Sequence, residues 1–304
     1  MWESIGVILP AFGLIAVGFL ALRTGLVSDR AGDGLSEFVY TLAVPCLIFR
    51  TLARAEVPDV QPWGYWIAYF TGVAIVWALA MIVAARLFKR DPGESVLAGF
   101  SAGQSNTVLV GVPIILRAYG EEGAVPLFLL IAVHLPIMVA AASLLIEGRD
   151  ASLLGIVKRL LVNPIIVAIL LGSAARPLGA FIPDPAWRIV ELIGSAAVPC
   201  ALFAMGAALH RYGLTAGLPL PLMVSGLKLV VHPLIVYWLA TRVFTMPPAW
   251  TGVAVLFAAC PTGVNAYLLA ERYRQGVALT SSAVSLSTML AMLTMFLWLQ
   301  VLGK

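Results

Sequence analysis

The segment AVPCLIF at residues 43–49 returns 154 residues later as AVPCALF at residues 197–203. The same offset carries residues 1–150 onto residues 155–304. Each half contains five long apolar stretches, so we interpret the chain as a duplicated five-helix unit. Because five is an odd number, the second copy enters the membrane from the opposite side. The sequence therefore predicts an inverted repeat about an axis in the membrane plane.

Ten stretches are long and apolar enough to be transmembrane helices, since a helix needs about 20 apolar residues to cross roughly 30 Å of hydrocarbon. Continuous apolar runs such as residues 75–84 do not alternate as the strands of a membrane β-barrel do. We expect an all-α polytopic membrane protein whose residues 1–150 and 151–304 form the two repeats. The predicted spans are residues 4–22, 36–53, 64–86, 95–117, 124–146, 154–174, 188–209, 217–242, 249–271 and 279–302.

The composition excludes a soluble domain and a disordered chain. Hydrophobic residues make up 61% of the sequence and charged residues 11%, whereas soluble domains carry roughly 25% charged residues. The net charge is +4, but the basic residues stand in short gaps between apolar stretches, so we expect a lipid bilayer and no nucleic acid as partner. The links after odd-numbered spans hold 11 Lys and Arg, against 7 in the termini and other links. This bias predicts a multi-pass protein with both termini extracellular, which is the periplasmic side of the inner (plasma) membrane if the source is bacterial.

Spans 4 and 9, which correspond in the two halves, are rich in Gly, Pro and small polar residues. Such residues weaken a helix, so we expect both spans to be interrupted near the middle of the membrane. Two half-helix N-termini would then direct unpaired N–H groups at one place, which suits an anion. The alternative is that these residues only pack and hydrogen-bond between helices. The candidate substrate-binding residues are Ser105, Asn106, Thr107, Pro261, Thr262, Gly263 and Asn265.

Five further residues are candidates for a supporting or coupling role. Lys228 is the only lysine near the middle of a predicted span. It could balance the charge of a substrate, neutralise a half-helix C-terminus or snorkel to the interface. His134 and His232 could relay protons or serve only as hydrogen-bond partners. Pro45 and Pro199 could kink spans 2 and 7 toward the interrupted spans or only pack.

The sequence contains no pattern typical of catalysis or of a bound metal. Its three cysteines lie inside apolar runs without CxxC spacing, and neither GxSxG nor HExxH occurs. No Asp or Glu lies near the middle of a predicted span, which argues against an exchanger that uses a buried carboxylate pair. We therefore expect no catalytic residue, cofactor or metal site. A membrane-embedded enzyme is the remotest alternative.

Five strings resemble the auxin efflux carrier family, which comprises plant PIN-type carriers and bacterial homologues. The resemblance covers nearly the whole chain. It implies ten helices in two inverted five-helix repeats with crossover helices 4 and 9, as in the sodium/proton antiporter and bile-acid symporter architecture. It also implies a scaffold of helices 1, 2, 6 and 7, a transport domain of helices 3–5 and 8–10, and a homodimer. The strings are SNTVLVGVPIILRAYG (105–120), NPIIVAILLG (163–172), AVPCALFAMGAAL (197–209), KLVVHPLIVYW (228–238) and CPTGVNAYLLAERY (260–273).

The chain departs from the plant members of that family in two places. Residues 147–153 form a short link where the plant carriers have a long hydrophilic loop, so regulation through that loop is absent. Ser105 stands where the plant pattern has a proline before the asparagine of helix 4. The interruption of span 4 is therefore expected to depend on Gly103 and Pro113 instead.

Together, the repeat and the resemblance suggest a secondary transporter of small organic anions, either carboxylates such as malonate or auxin-like acids. The transporter would move its substrate by elevator-type alternating access. It would act as a uniporter or efflux carrier driven by the membrane potential. A proton- or sodium-coupled organic-acid symporter is the alternative.

Overall fold

The computed structural model describes residues 2–54, 63–148, 155, 158, 161–176, 182–213 and 217–304. Within these residues the regular secondary structure is helical, and one isolated β-bridge joins two loops. The predicted boundary between the repeats at residues 150 and 151 lies outside the described residues. So do most of the link at residues 147–153 and the first part of predicted span 6.

Seven helices of the described chain are long and apolar enough to cross a membrane, which confirms the prediction of an all-α polytopic membrane protein. They are α1 (Trp2–Arg23), α2 (Asp29–Arg54), α3 (Trp63–Arg86), α5 (Thr107–Glu147), α7 (Asp184–Tyr212), α8 (Pro219–Val243) and α11 (Val277–Val301). Four shorter helices lie between them: α4 (Pro92–Gly103), α6 (Pro164–Ala175), α9 (Pro248–Ala259) and α10 (Asn265–Tyr273).

Helix α2 begins seven residues before the predicted start of span 2. Its first turns carry the polar sequence DRAGDG, which a search for apolar residues leaves out. The side chain of Ser28 nevertheless caps this helix by accepting a hydrogen bond from the N–H of Ala31. Capping thus extends α2 beyond its apolar stretch.

The predicted interruptions occur in both spans. Span 4 divides into α4 and α5 at residues 104–106, and span 9 divides into α9 and α10 at residues 260–264. Helices α4 and α9 have 12 residues each, and 12 residues span about 18 Å, more than half of the hydrocarbon thickness. Of the two residues expected to cause the break in span 4, Gly103 adjoins it, whereas Pro113 lies inside α5.

Gly120 bends α5 and separates the end of predicted span 4 from predicted span 5. Its backbone has φ of 56° and ψ of −139°, a conformation that glycine adopts far more readily than other residues. Helix α5 therefore consists of a half-helix at residues 107–119 and a long helix at residues 121–147.

The helices pack in two groups. In the first group, α1 packs against α7, and α2 packs against α6 and α7. In the second group, α3 packs against α4, and α8 packs against α9 and α11. Helices α1 and α7 approach closely because Gly206 has no side chain, since a Cβ atom there would lie 1.9 Å from the carbonyl oxygen of Ile15. The start of α5 contacts α7, so the interrupted helices face the first group.

Candidate functional site

The two interruptions lie against each other, and we call residues 104–106 and 260–264 together the crossover. Ser105 and Thr262 form an isolated antiparallel bridge at its centre. Backbone N–H and C=O groups that have no partner within their own interrupted helix form hydrogen bonds with each other there. Such groups need a partner in the membrane interior, where there is no water to bind them. The two hydrogen bonds run from the N–H of Asn106 to the carbonyl of Pro261, at 2.8 Å, and from the N–H of Gly263 to the carbonyl of Gln104, at 2.9 Å.

Pro261 accounts for the interruption of span 9. It has no N–H to donate to the carbonyl of Phe257 four residues earlier, and it disfavours the helical conformation at Cys260. Cys260 accordingly has φ of −55° and ψ of 146°. The carbonyl oxygen of Phe257 instead accepts a hydrogen bond from the hydroxyl of Ser105, at 2.7 Å.

Ser105, in contrast, keeps an N–H group that must be satisfied. This N–H donates to Nε2 of His134 in α5, at 3.3 Å. The carbonyl of Ser101, four residues before Ser105, accepts a hydrogen bond from the hydroxyl of Thr262, at 3.0 Å. Span 4 is thus interrupted without a proline because His134 and Thr262 take up the two backbone groups that the helix releases.

The two halves of the crossover repeat each other's hydrogen bonds. The N–H of Thr262 donates to Oγ of Ser287 in α11, at 2.9 Å, as the N–H of Ser105 donates to His134 in α5. Each bridge residue therefore gives its N–H to a later long helix. Each also gives its hydroxyl to the last turn of the opposite half-helix, α9 or α4.

A chain of buried polar side chains lies beside Ser105. Nζ of Lys228 donates to Oγ of Ser105 at 2.9 Å, and it also donates to the carbonyl of Ala258 in the last turn of α9. Nδ1 of His232 lies 3.4 Å from the same Nζ. Oη of Tyr69 lies 3.3 Å from Oγ of Ser105 and joins this hydroxyl to His134.

The distances allow one consistent assignment of protons around Ser105. Because Nε2 of His134 accepts a hydrogen bond, a neutral imidazole carries its proton on Nδ1 and donates it to Tyr69, 3.2 Å away. The hydroxyl of Tyr69 then donates to Ser105, whose own hydroxyl proton is directed at Phe257. Ser105 thus makes one donated and two accepted hydrogen bonds, the full capacity of a hydroxyl.

Lys228 does not snorkel, since it is 0% exposed. Among the described residues it is the only buried Lys, Arg, Asp or Glu. Its ammonium group lies at the carbonyl end of α9, where the negative end of the helix dipole stabilises a positive charge. The geometry matches the role of neutralising a half-helix C-terminus, one of the three that the sequence left open.

A cavity of about 390 Å³ reaches the crossover from the side of α2, α7 and α10. The helices α5 and α10 begin at this cavity, and neither N-terminus has a side-chain cap. The positive dipole ends of these two helices, together with first-turn N–H groups that no side chain caps, make the cavity suitable for an anion. The lining residues are Ser36, Glu37, Tyr40, Ser105, Asn106, Thr107, Val108, Leu109, Ala208, Arg211, Tyr212, Gly263, Val264, Asn265 and Leu268.

Five of the seven predicted substrate-binding residues line this cavity, and the other two, Pro261 and Thr262, are buried within the crossover. Pro45 and Pro199 are not among the lining residues. Pro45 follows the π-helical turn Val39–Ala43 in α2, and Pro199 follows a turn at Ala196 in α7.

Sequence reasoning missed three residues that belong to this site. Tyr40 and Arg211 line the cavity, and the sulfur of Met205 accepts a hydrogen bond from Nδ2 of Asn106, at 3.0 Å. Arg211 is a basic residue just after a predicted span, and this position indicated only the orientation of the helix. In the part of the chain that the structure describes, no three His, Cys, Asp or Glu side chains are grouped to hold a metal ion.

Comparison with known proteins relates this architecture to membrane transport. The family described as Membrane transport protein matches residues 4–299. A Rhizobium meliloti (strain 1021) protein named "Putative malonate transporter" is 30% identical over 306 residues, which cover 97% of this chain and 94% of that protein. An "Uncharacterized transporter" of Methanothermobacter thermautotrophicus is 28% identical over 310 residues, 97% of each chain. The "Lysosomal cholesterol signaling protein" of Mus musculus is 25% identical over 114 residues, 37% of this chain and 13% of that protein.

The family match covers the described helices from α1 to α11, including both interruptions and the cavity between them. It confirms the resemblance to the auxin efflux carriers that the five sequence strings indicated, and it excludes an enzyme. The chain therefore belongs to the membrane transport protein family of the auxin efflux carriers and is a multi-pass membrane transporter.

Proposed function

We propose that this protein is a secondary transporter of small organic anions, in particular carboxylates such as malonate, and that it works by elevator-type alternating access. One observation carries the proposal: the uncapped N-termini of α5 and α10 open into one cavity beside Asn106 and Asn265. Backbone N–H groups and two helix dipoles favour negative charge there, and the side-chain amides add donors. The name of the Rhizobium meliloti relative supports malonate as the first substrate to test.

The transporter has ten transmembrane helices in two inverted five-helix repeats, residues 1–150 and 151–304. The reciprocal hydrogen bonds of Ser105 and Thr262 support this repeat, because a two-fold axis relates contacts in this way. Helices α4 and α9 also have equal lengths and begin at Pro92 and Pro248, 156 positions apart.

A scaffold of transmembrane helices 1, 2, 6 and 7, which are α1, α2, α6 and α7, supports a transport domain. The transport domain consists of transmembrane helices 3–5 and 8–10, which are α3–α5 and α8–α11. The packing of α1 and α2 against α6 and α7 supports this division, as does the packing of α3 and α8 against the interrupted helices. The crossover belongs to the transport domain and faces α7 of the scaffold through Asn106 and Met205. Movement of one group past the other then exposes the cavity to each side of the membrane in turn.

The transport mode is uniport. In a cation-coupled carrier, the carbonyl end of an interrupted helix is a place where a sodium ion or a proton carrier binds. Here the ammonium of Lys228 already lies at that end of α9 and is tethered to the protein. The membrane potential, which contributes about 2.3 kcal/mol per charge per 100 mV, is sufficient to drive export of an anion.

The cavity faces the cytoplasm, and both termini lie on the periplasmic face of a bacterial inner membrane. Ser4 contacts Lys304 and Gln300, which supports both termini on one side. The cavity opens beside the last turn of α7, at the membrane side that carries Arg23 and Arg272. An excess of Lys and Arg marks the cytoplasmic side.

The functional unit is a homodimer, as the resemblance to the auxin efflux carriers implies. Native mass spectrometry of the protein in detergent tests this directly. A mass of twice 32.3 kDa, plus bound lipid, is the expected result.

Flux of labelled malonate into liposomes that contain the purified protein tests the proposed function. We expect saturable uptake that increases when the lumen is made positive and that does not follow a sodium or proton gradient at zero voltage. Uptake that follows such a gradient would replace uniport with the symport alternative. Absence of saturable uptake for a panel of mono- and dicarboxylates would overturn the proposal.

A further inference from the structure

We propose that Arg211 makes this transporter selective for dicarboxylates. In this arrangement the first carboxylate of the substrate lies at the crossover, and Arg211 binds the second. The inference rests on the proposed function of the cavity and specifies the class of anion that it accepts.

Among the described residues that line the cavity, Arg211 is the only Lys or Arg. It lies in the last turn of α7 at the cavity mouth, and its side chain is 35% exposed. The guanidinium forms an ion pair with Asp33 of α2, whose side chain is 57% exposed. The cavity thus has neutral donors at its inner end and one cation at its outer end.

The spacing between the two ends suits a small molecule. Met205, which contacts Asn106 at the crossover, precedes Arg211 by six residues on the same helix, about 9 Å along its axis. Side chains on a helix lean toward its N-terminus, which for Arg211 is the direction of the crossover, and Arg211 lines the same cavity as Ser105 and Asn106. A substrate with two carboxylates a few bonds apart can contact both ends at once.

The ion pair with Asp33 provides the basis of selection. A guanidinium binds a carboxylate through two parallel hydrogen bonds, and the second carboxylate of a substrate has the same shape as the Asp33 side chain. A dicarboxylate can therefore take the place of Asp33 at the guanidinium, and the released Asp33 carboxylate, 57% exposed, is solvated by water. A monocarboxylate has no group for this exchange and gains nothing from Arg211.

Glu37 makes the arginine more important for a doubly charged substrate. This exposed carboxylate also lines the cavity, and it lies one helical turn after Asp33 on α2. Two carboxylates at the mouth repel a dianion more strongly than a monoanion. Without Arg211, the cavity would favour singly charged acids.

Calorimetric binding to the purified full-length protein tests the inference with malonate and propanoate, which have three carbons each. For Arg211→Gln, we expect the Kd for malonate to rise about tenfold or more and the Kd for propanoate to change less than about twofold. For Asp33→Asn, we expect tighter malonate binding because the competing carboxylate is gone. The matched control is Arg86→Gln, which removes an exposed arginine at the end of α3, away from the cavity.

Equal effects of Arg211→Gln on both acids, or no effect on either, would overturn the inference and leave the proposed function intact. Failure of the unmodified protein to bind any carboxylate would overturn both. If Arg211→Gln cannot be purified folded, Arg211→Lys provides the same test, because it keeps the charge and loses the paired hydrogen bonds. Equal weakening of malonate and propanoate by Arg211→Lys would again overturn the inference.

Discussion

The hydroxyl of Ser105 donates a hydrogen bond to the carbonyl oxygen of Phe257, 152 residues later in the chain. This carbonyl is the one that Pro261 leaves without a helical partner. The interruption in the second half of the chain is therefore capped by a side chain from the first half. The structural cost of unwinding one helix is offset by a residue of the other, so the two interruptions depend on each other.

Replacing Ser105 with alanine should destabilise the protein. The carbonyl of Phe257 and the ammonium of Lys228 each lose a buried hydrogen-bond partner, and each loss costs about 1–3 kcal/mol. We expect a lower melting temperature in detergent and slower malonate flux. The control is Ser195→Ala, which removes an exposed hydroxyl bonded to the carbonyl of Leu192. Equal melting temperatures for the two variants would contradict the capping role.

Replacing Asn265 with alanine should weaken substrate binding without unfolding the protein. Asn265 lines the cavity at the start of α10 and is half-buried, so its removal leaves no large void. The loss of an amide that donates to a carboxylate corresponds to about tenfold in Kd. Asn106→Ala should act in the same direction. Gln275→Ala, an exposed amide outside the cavity, is the control. Unchanged affinity in both asparagine variants would move the binding site elsewhere.

Gly263→Ala should distort the crossover. A Cβ atom at this position would lie 2.9 Å from the backbone carbonyl oxygen of Ser105, which cannot move without breaking the bridge to Thr262. Such overpacking typically costs about 1–3 kcal/mol. The control is Gly226→Ala in α8, where an added Cβ would meet nothing within 4 Å. We expect thermal unfolding to occur earlier only in Gly263→Ala, and equal effects of both variants would refute the close contact.

Lys228→Met should separate transport from stability. Removal of a buried ammonium recovers several kcal/mol of desolvation cost, which offsets most of the cost of leaving the carbonyl of Ala258 unpaired, so a methionine of similar volume should lower the melting temperature only slightly. Flux should fall at least about tenfold, because the carbonyl end of α9 loses its positive charge. Lys158→Met, at an exposed lysine, is the control. Normal flux in Lys228→Met would show that transport does not need the positive charge of Lys228.

The sequence predicted the two interruptions because proline and glycine act locally. Pro261 breaks a helix wherever it stands, since it lacks an N–H and disfavours a helical Cys260. The position of the break in span 4 was less predictable, because Ser105 is a residue that most helices tolerate. Its N–H is diverted by His134, which is 29 residues away in sequence and has no local signature. Pro113, which was expected to contribute to this break, lies inside α5, beyond residues 104–106.

The cavity and the environment of Lys228 also depended on contacts between distant segments. Arg211 and Asp33 meet only because α7 packs beside α2. The sequence left three possible roles open for Lys228, and the burial of its side chain excludes one of them, snorkelling to the interface. The choice among such roles depends on which backbone groups are left unpaired nearby, and that is a property of the packed structure.

By itself the sequence determined that the chain is helical, that it lies in a membrane and that two of its spans are broken by small residues and proline. These properties follow from composition and from backbone chemistry within a few residues. Only the tertiary structure decided that the two breaks hydrogen-bond to each other, that Lys228 lies at the carbonyl end of α9 and that Arg211 lies at the mouth of the cavity. The physical reason is that every unpaired backbone group in a membrane needs a partner, and the packing of distant helices determines which partner is within reach.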